Sequence, residues 1–326
     1  MKTNLDIKDK KLLYELDINS RESNSKIGKK IGLKKDSVNY RIKRLIKQGI
    51  ITNFLTKIDV TKIGYLLYNV FIKFQNTSKE IEIEFINYIK NSFKIGWGVT
   101  VLGNWDLIFI YWAENENDFF NFWKIILSKF GNYIDKKEIS LFYSEIACPK
   151  TFFLDNKYPS ENDFVIAKKP IHTYQVDKID LSILYYLANN SRISYNDVAK
   201  KLNSSSNTIV YRINKLKEKK IILGYGIGID CKKINYEYYK LEINFRTFST
   251  KRYNDFIRYS KSHKNIVFID ESIGGNDMKL NIYIENKEKY KLLIDDMKLQ
   301  FSDIIKNMET MQYYEEFKYN LFPIKI

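Results

Sequence analysis

A long internal repeat is the feature that most constrains the fold of this 326-residue chain. Residues 6–155 (copy one) and 177–326 (copy two) align without a gap at one constant offset. The matched strings include Ser20-Arg21 with Ser191-Arg192 and Tyr40-Arg41-Ile42 with Tyr211-Arg212-Ile213. Because solenoid repeats have periods of about 20–50 residues, each copy should fold as a complete unit.

The basic residues are concentrated at the start of each copy. The chain has a formal net charge of +15. Residues 1–65 contain 16 basic and 7 acidic side chains, and residues 172–236 contain 11 and 5, whereas the remainder of each copy is nearly neutral. Uniform lysine enrichment would spread the charge evenly. The segregation therefore indicates a surface that binds a polyanion.

The start of each copy also has the apolar spacing of three short helices. The third helix is predicted at about Lys35 to Gln48, with its counterpart at Ser206 to Lys219. Val38, Ile42 and Leu45 form its apolar stripe, which should face the core. A short helix, a tight turn and a basic helix are typical of a helix-turn-helix.

The other faces of the third helices carry basic and polar side chains. Lysine and arginine neutralise phosphates, and arginine and asparagine reach base edges in the major groove. A merely solvated basic face is the alternative, but two copies with segregated charge favour double-stranded DNA as the partner. The predicted DNA-binding residues are Lys34, Lys35, Asn39, Arg41, Lys43, Arg44, Lys47, Ser205, Ser206, Asn207, Arg212, Asn214 and Lys215.

After this unit each copy continues with alternating patterns. A wing or connecting strand ends at Asp59 or Asp230, and then strand, helix, two strands, helix and strand follow in the ferredoxin-like βαββαβ order. The predicted fold class is α+β, with two tandem repeats of a winged helix-turn-helix and a ferredoxin-like module. The predicted domains are helix-turn-helix 1–65, regulatory module 66–155, linker 156–171, helix-turn-helix 172–236 and regulatory module 237–326.

Two strings and two turns stand out in the repeat: LKKDSVNYRIKRLIKQGII (Leu33 to Ile51), SSSNTIVYRINKLKEKKII (Ser204 to Ile222), Gly103 to Asp106 and Gly274 to Asp277. Together they resemble the Lrp/AsnC family, the feast/famine transcription regulators. The resemblance covers nearly the whole chain, twice. It implies a tandem, double-length transcription regulator without catalytic residues.

Two departures from the family pattern concern the ends of the third helices. Lys34 stands where copy two has Ser205, a residue that favours a helix N-cap. Lys220 replaces Gly49 where a left-handed C-cap is expected, which would strain it. We expect the two copies to differ in DNA preference.

The resemblance also implies a small effector, such as an amino acid, bound near the glycine-to-aspartate turns. Gly103, Asp106, Gly274 and Asp277 are the candidate effector-binding residues. The alternative is that each glycine serves only as the permissive backbone of a hairpin turn.

Strand parity predicts how the regulatory modules associate. In copy two one face is apolar and the other carries Lys240, Glu242 and Lys279, whereas copy one is apolar on both faces. An exposed apolar sheet requires a partner, so we expect the first modules to pair between two chains, giving a homodimer or higher homo-oligomer. The predicted dimer interface is Leu67, Phe71, Ile108, Ile110 and Trp112.

The few cysteines and histidines, and the lengths of the apolar runs, limit the classes of function that are expected. Two cysteines at non-equivalent positions and two histidines without neighbouring ligands predict no metal, no cofactor and no enzyme. No apolar run is long enough for a membrane span, which favours a cytoplasmic protein. The alternatives are an architectural protein that binds DNA without sequence preference, and an enzyme resembling the sirohaem decarboxylases, some of which look like the same two-module architecture.

Overall fold

The structure, a computed structural model, describes residues 4–154, 163–246, 249–319 and 322–324. Copy one contains α1 Ile7–Ile18, α2 Asn24–Ile31, α3 Lys35–Lys47, β1 Ile51–Ile58, β2 Leu66–Phe74, α4 Lys79–Asn91, β3 Ile95–Leu102, β4 Leu107–Ala113, α5 Glu116–Phe130 and β5 Ile134–Ala147. The segment between the copies contains β6 Val165–Lys168. Copy two contains α6 Lys178–Asn189, α7 Tyr195–Lys201, α8 Ser206–Glu218, β7 Ile222–Ile229, β8 Glu237–Phe245, α9 Thr250–Ser262, β9 Ile266–Ile273, β10 Met278–Ile284, α10 Lys287–Phe301 and β11 Ile305–Tyr319.

Local sequence signals begin the helices of each helix-turn-helix. Asp6 caps α1 in a reciprocal capping box with Asp9, and Ser23 caps α2 by accepting from the backbone N–H of Lys26. Gly32 ends α2 in the left-handed conformation. The apolar stripe of α3 is buried against α1 and α2, as its spacing predicts.

The four strands of each regulatory module have the ferredoxin-like order. In copy one β5 pairs with β2, β2 with β4, and β4 with β3, all antiparallel. Copy two repeats this order with β11, β8, β10 and β9. Both the α+β class and the tandem repeat are thereby confirmed.

The two regulatory modules join edge to edge within the chain. Strand β5 of copy one pairs with β9 of copy two, and β11 of copy two pairs with β3 of copy one. Because β5 also pairs with β2, these eight strands close into a barrel. Because the barrel is closed, no strand edge is left unpaired between the copies. An unpaired edge strand promotes aggregation in antiparallel sheets.

The predicted linker is only partly a spacer. Its strand β6 extends the sheet by pairing with the end of β5, from Val165 opposite Ala147 to Lys168 opposite Ser144. Residues 156–162 of the predicted linker lie outside the described residues.

The expected pairing of first modules between two chains is wrong, because copy two covers that apolar face within one chain. Phe71 and Ile108 are buried in the barrel against Met311 and Tyr313 of copy two. Trp112 is buried, and Leu67 and Ile110 are partly buried, against the second helix-turn-helix. All five predicted interface residues therefore belong to internal contacts.

Copy two contributes a polar half to the barrel interior. Lys240, Glu242, Lys279 and Asn281 are each at most 6% exposed. The Lys279 ammonium lies 5.1 Å from the centre of the Phe71 ring, and Lys240 lies 5.9 Å from that of Trp97. These cation–π contacts let a polar sheet pack against an apolar one.

Hydrogen bonds satisfy Lys279 and Asn281, whereas both carboxylate oxygens of Glu242 are buried without one. Lys279 donates to Ser140 of copy one at 3.1 Å and to Ser272 at 2.9 Å. Asn281 donates to Asp270 at 2.8 Å and accepts from Tyr313 at 2.9 Å. Burial raises the pKa of the Glu242 carboxyl to about 7, although Lys279 opposes this shift.

No helix in the described ranges is both long and apolar enough to cross a bilayer.

Candidate nucleic-acid interface

The N-termini of α3 and α8 differ as their sequences predict. Ser205 caps α8 by accepting from the backbone N–H of Thr208 at 3.1 Å, whereas Lys34 makes no side-chain cap bond. At the other end, Gly49 has a φ of 68° and Lys220 a φ of 54°. Lysine therefore adopts the left-handed conformation that favours glycine, so this predicted strain is present.

Most of the predicted DNA-binding side chains lie on one exposed surface of each helix. The exposed members are Lys34, Lys35, Asn39, Lys43, Lys47, Ser205, Asn207, Asn214 and Lys215. Ser206 is half-buried and donates to Asn196 at 2.5 Å. The apolar stripes point away from this surface, so it is free to meet a partner.

The three predicted arginines are each held by ion pairs within the chain. Arg41 donates to Asp6 and Asp9, each at 2.7 Å, and Arg44 donates to Asp9 at 2.5 Å. These ion pairs hold α3 against the N-terminus of α1, and the carboxylate of Asp9 is almost fully buried between them. Burial opposes ionisation of Asp6, but its hydrogen bonds with Arg41 and with the backbone of Asp9 lower its pKa overall.

Copy two repeats the ion pairs of Arg41, whereas Lys215, at the position of Arg44, pairs with Glu218 instead. Arg212 donates to Asp177 at 2.7 Å and to Asp180 at 2.9 Å. Its pKa is raised by the hydrogen bond to Asp177 and then by that to Asp180. The recurrence of the same pairs in both copies indicates that they maintain the helix-turn-helix.

Sequence reasoning missed an exposed tyrosine in the middle of each recognition helix. Tyr40 is 66% exposed and Tyr211 is 61% exposed, and the two occupy equivalent positions. An aromatic ring left in solvent on a basic surface is suited to contact with sugars or the thymine methyl group. The presence of tyrosine at the same position in both copies is the sequence signal that could have revealed this residue.

The two helix-turn-helix units are fixed to each other around an approximate two-fold axis. The hydroxyls of Ser20 and Ser191, which are equivalent residues, lie 2.7 Å apart and are buried. Strands β1 and β7 form an antiparallel ribbon in which the equivalent residues Leu55 and Gly226 lie opposite each other. The strand read as a wing or connecting strand thus pairs with its own counterpart.

Two equivalent arginines reinforce this contact by reaching across the axis. Arg21 donates to the backbone carbonyls of Ser191 and Ile193, the latter at 2.9 Å. Arg192 donates to the carbonyl of Ser20 at 2.6 Å. Burial lowers the pKa of Arg192, and the neighbouring charge of Arg21 adds to the effect. The orientation of α3 relative to α8 is consequently set by the chain itself.

The glycine-to-aspartate turns lie at the barrel rim. Gly103 has a φ of 143° and Gly274 a φ of 83°, which glycine tolerates best. Asp106 accepts from the backbone N–H of Phe74 at 2.8 Å, and Asp277 accepts from the equivalent Phe245 at 2.8 Å. Each aspartate thus ties its hairpin to the end of the neighbouring strand, so the structure gives it a role without an effector.

The described residues contain no group of three or more His, Cys, Asp or Glu side chains placed to hold a metal. Cys148 and Cys231 are free and buried. Burial raises the pKa of each thiol to about 12.

Two family models match the chain at the places where the structure has its helix-turn-helix units. The AsnC-type helix-turn-helix domain matches residues 5–46, and the winged helix-turn-helix DNA-binding model matches residues 176–222. The whole fold is similar to the crystal structure of the siroheme decarboxylase NirDL, with a TM-score of 0.64 and 12% identity over 97% of this chain and 94% of that one. At this identity the likeness concerns the fold alone.

Sequence relatives are helix-turn-helix regulators. An uncharacterized HTH-type transcriptional regulator of Pyrococcus furiosus is 35% identical over 120 residues, which is 35% of this chain and 77% of that protein. One of Pyrococcus horikoshii is 33% identical over 119 residues, again 35% of this chain and 77% of that protein. For two further relatives, of Pyrococcus abyssi and Pyrococcus furiosus, the match spans only 40% and 43% of their lengths. Together with the AsnC-type match, these relationships show that this chain belongs to the Lrp/AsnC family of helix-turn-helix transcriptional regulators.

Proposed function

We propose that this protein is a transcription regulator that binds duplex DNA with both α3 and α8 of one chain. The main support is the contact between Ser20 and Ser191, which joins equivalent points of the two helix-turn-helix units. Proteins of this type place two recognition helices in the major groove about 34 Å apart. One chain therefore supplies both helices.

Exposed lysines provide the attraction to phosphates. Lys34, Lys35, Lys43 and Lys47 line α3, and Lys215 and Lys217 lie on α8. Because binding releases counterions, the Kd for duplex DNA should rise steeply with salt. We leave Arg41, Arg44 and Arg212 out of the proposed contact set, since each is held by internal carboxylates.

The proposal is tested by making the same change of charge on two different surfaces, α3 and α10. Lys43→Glu with Lys47→Glu should weaken duplex binding at least about tenfold in fluorescence anisotropy at low salt. The matched control is Lys287→Glu with Lys298→Glu on α10, where both lysines are also exposed. Equal loss in both variants would show that net charge alone attracts DNA, and absence of binding by the unaltered chain would refute the proposal.

We further propose that a small effector, such as an amino acid, binds at the hairpins Gly103 to Asp106 and Gly274 to Asp277. Gly103, Gly274 and Asp277 are exposed at the barrel rim, and Asp106 is half-buried. The family resemblance is the support for this idea. Calorimetric titration with single amino acids should give a binding heat that Asp277→Ala reduces; no heat with any of them would contradict it.

Self-association remains part of the proposal, but through another surface. Leu102 and Ile273, at equivalent positions beside the hairpins, are 56% and 61% exposed. Replacing both by Lys should lower the mass in sedimentation equilibrium if chains associate there. An unchanged mass would exclude these residues from the contact.

A regulator without catalytic activity is favoured over the enzyme alternative. Of the two histidines, His172 is exposed and His263 accepts from the backbone N–H of Asn265 at 3.3 Å. Burial lowers the pKa of His263, which disfavours its charged form. Incubation with sirohaem should leave its mass unchanged, whereas loss of carboxyl groups would establish the enzyme.

A further inference from the structure

The two recognition helices present different side chains at equivalent exposed positions. On α3 the positions spaced three and four residues apart carry Asp36, Asn39 and Lys43. Their equivalents on α8 are Asn207, Val210 and Asn214, and all six side chains are exposed. Positions with this spacing share one face of a helix. Tyr40 and Tyr211 occupy the same face and are identical.

These pairs differ in the base edge that each member can recognise. Asn39 offers the donor and acceptor that match adenine, whereas Val210 can make only an apolar contact, as with a thymine methyl group. Lys43 donates to the acceptors of guanine, whereas Asn214 again matches adenine. Asp36 accepts from cytosine and Asn207 does not share that preference.

The same asymmetry appears in the phosphate-binding charges. The N-cap and the first residue of α3 are Lys34 and Lys35, where α8 has Ser205 and Ser206. Lys47 is replaced by Glu218. In return, α8 and the two residues after it carry Lys217, Lys219 and Lys220 where copy one has Ile46, Gln48 and Gly49. The two halves should therefore contact the phosphates from different positions.

The frame that carries the helices is nevertheless symmetric. Equivalent residues meet at the Ser20–Ser191 hydrogen bond and at the Leu55–Gly226 position of the ribbon. Arg21 and Arg192 make reciprocal contacts across it. Both helices are consequently presented to one duplex in related orientations but with different chemistry.

We propose that one chain reads an asymmetric DNA site, in which the half-sites contacted by α3 and α8 have different base sequences. This inference rests on the proposed DNA-binding function. The chain binds such a site in one orientation only, with α3 on one half-site and α8 on the other. A homodimer with identical helices would instead match a palindrome.

The test begins with duplexes selected from a random pool by the full chain. Kd is then measured for the selected site and for two palindromes, one built from each half-site. The selected site should bind at least about tenfold more tightly than either palindrome, because each palindrome mismatches one helix and mismatched base pairs each weaken binding by roughly that factor. Equal or tighter binding to either palindrome would overturn the inference.

Reciprocal exchange variants identify the residues responsible. Asn207→Asp, Val210→Asn and Asn214→Lys together should shift preference to the palindrome of the α3 half-site. Asp36→Asn, Asn39→Val and Lys43→Asn together should shift it to the other palindrome. All six positions are exposed and lie outside the ion pairs and caps, so the fold should persist, as circular dichroism can verify.

The outcomes separate this inference from the proposed function. Binding without any sequence preference, or exchange variants that keep the original preference, would refute the asymmetric site and leave DNA binding intact. Failure of the chain to bind any duplex at low salt would refute both.

Discussion

The side-chain hydroxyls of Ser20 and Ser191 lie 2.7 Å apart in the buried contact between the two helix-turn-helix units. These residues are equivalent in the repeat, so the contact lies on the axis that relates the copies. In a protein with identical chains the same contact would form between partners. Here it is intramolecular, and the relative position of the two recognition helices does not depend on protein concentration.

Ser20→Ala should destabilise the chain by about 1–3 kcal/mol, because the buried hydroxyl of Ser191 would lose its partner. The double variant Ser20→Ala with Ser191→Ala should cost less than the sum of the two single changes, since neither unpaired hydroxyl remains. Urea unfolding of the four proteins gives this comparison. Strict additivity would show that the hydrogen bond does not couple the two units.

Arg41→Ala combined with Arg44→Ala should lower the free energy of unfolding by about 2–3 kcal/mol. This is less than the ~3–5 kcal/mol for a fully buried broken pair, because the arginines are partly exposed. The buried carboxylate of Asp9 would lose both charged partners. Thermal unfolding measures the effect.

The matched control is Lys43→Ala combined with Lys47→Ala on the same helix, which should leave stability within about 0.5 kcal/mol and weaken DNA binding. A stable double-arginine variant that merely fails to bind DNA would assign the arginines to the DNA instead.

Lys34→Ser should change stability and DNA affinity in opposite directions. Serine would supply the side-chain cap that α3 lacks, which stabilises helices by about 1 kcal/mol. Loss of the exposed ammonium should weaken binding at low salt. Thermal unfolding and anisotropy on the same samples measure both, and the exposed change Lys298→Ser, which removes the same charge from α10, should leave DNA affinity unchanged. If Lys34→Ser lowered the free energy of unfolding, serine would not cap α3 in the way that Ser205 caps α8.

Glu242→Gln should flatten the dependence of stability on pH. The carboxyl is 1% exposed, and burial raises its pKa from 4.5 in the unfolded chain to about 7 in the folded chain. The folded state therefore holds the proton more tightly, so stability falls as pH rises from about 4.5 to 7. Glutamine cannot ionise, so this loss should disappear.

Unfolding free energies measured between pH 5 and pH 8 check this prediction, with the exposed Glu84→Gln as a control. If Glu242→Gln kept the same slope as the unaltered chain, the carboxyl would be ionised throughout, stabilised by Lys279.

The sequence was sufficient for the order and approximate bounds of the elements. Strand β8, for example, alternates Tyr239, Leu241 and Ile243 with Lys240 and Glu242, and the structure places these sets on opposite faces. Periodicity does not reveal what each face meets. Closure of the barrel depends on pairing between β5 and β9, which are distant in sequence, so the burial of the polar face was not predicted.

The sequence predicted the helices of the candidate site but not the contacts of its individual basic residues. Charge and helical spacing located α3 and α8, but a count of basic residues cannot distinguish Arg41, opposite Asp9, from Lys43, which points to solvent. Both members of that ion pair recur in copy two, as Arg212 and Asp180. Recurrence of a charge together with its opposite charge is the signal of an internal pair.

Hydroxyl-radical footprinting of the full chain on its selected DNA site is the most direct measurement. Two protected regions about one helical turn apart should appear, one for each recognition helix. Lys43→Glu should weaken protection of one region, and Lys215→Glu that of the other. Protection of a single region, unaffected by one of the two changes, would contradict the binding of one duplex by both helices of one chain.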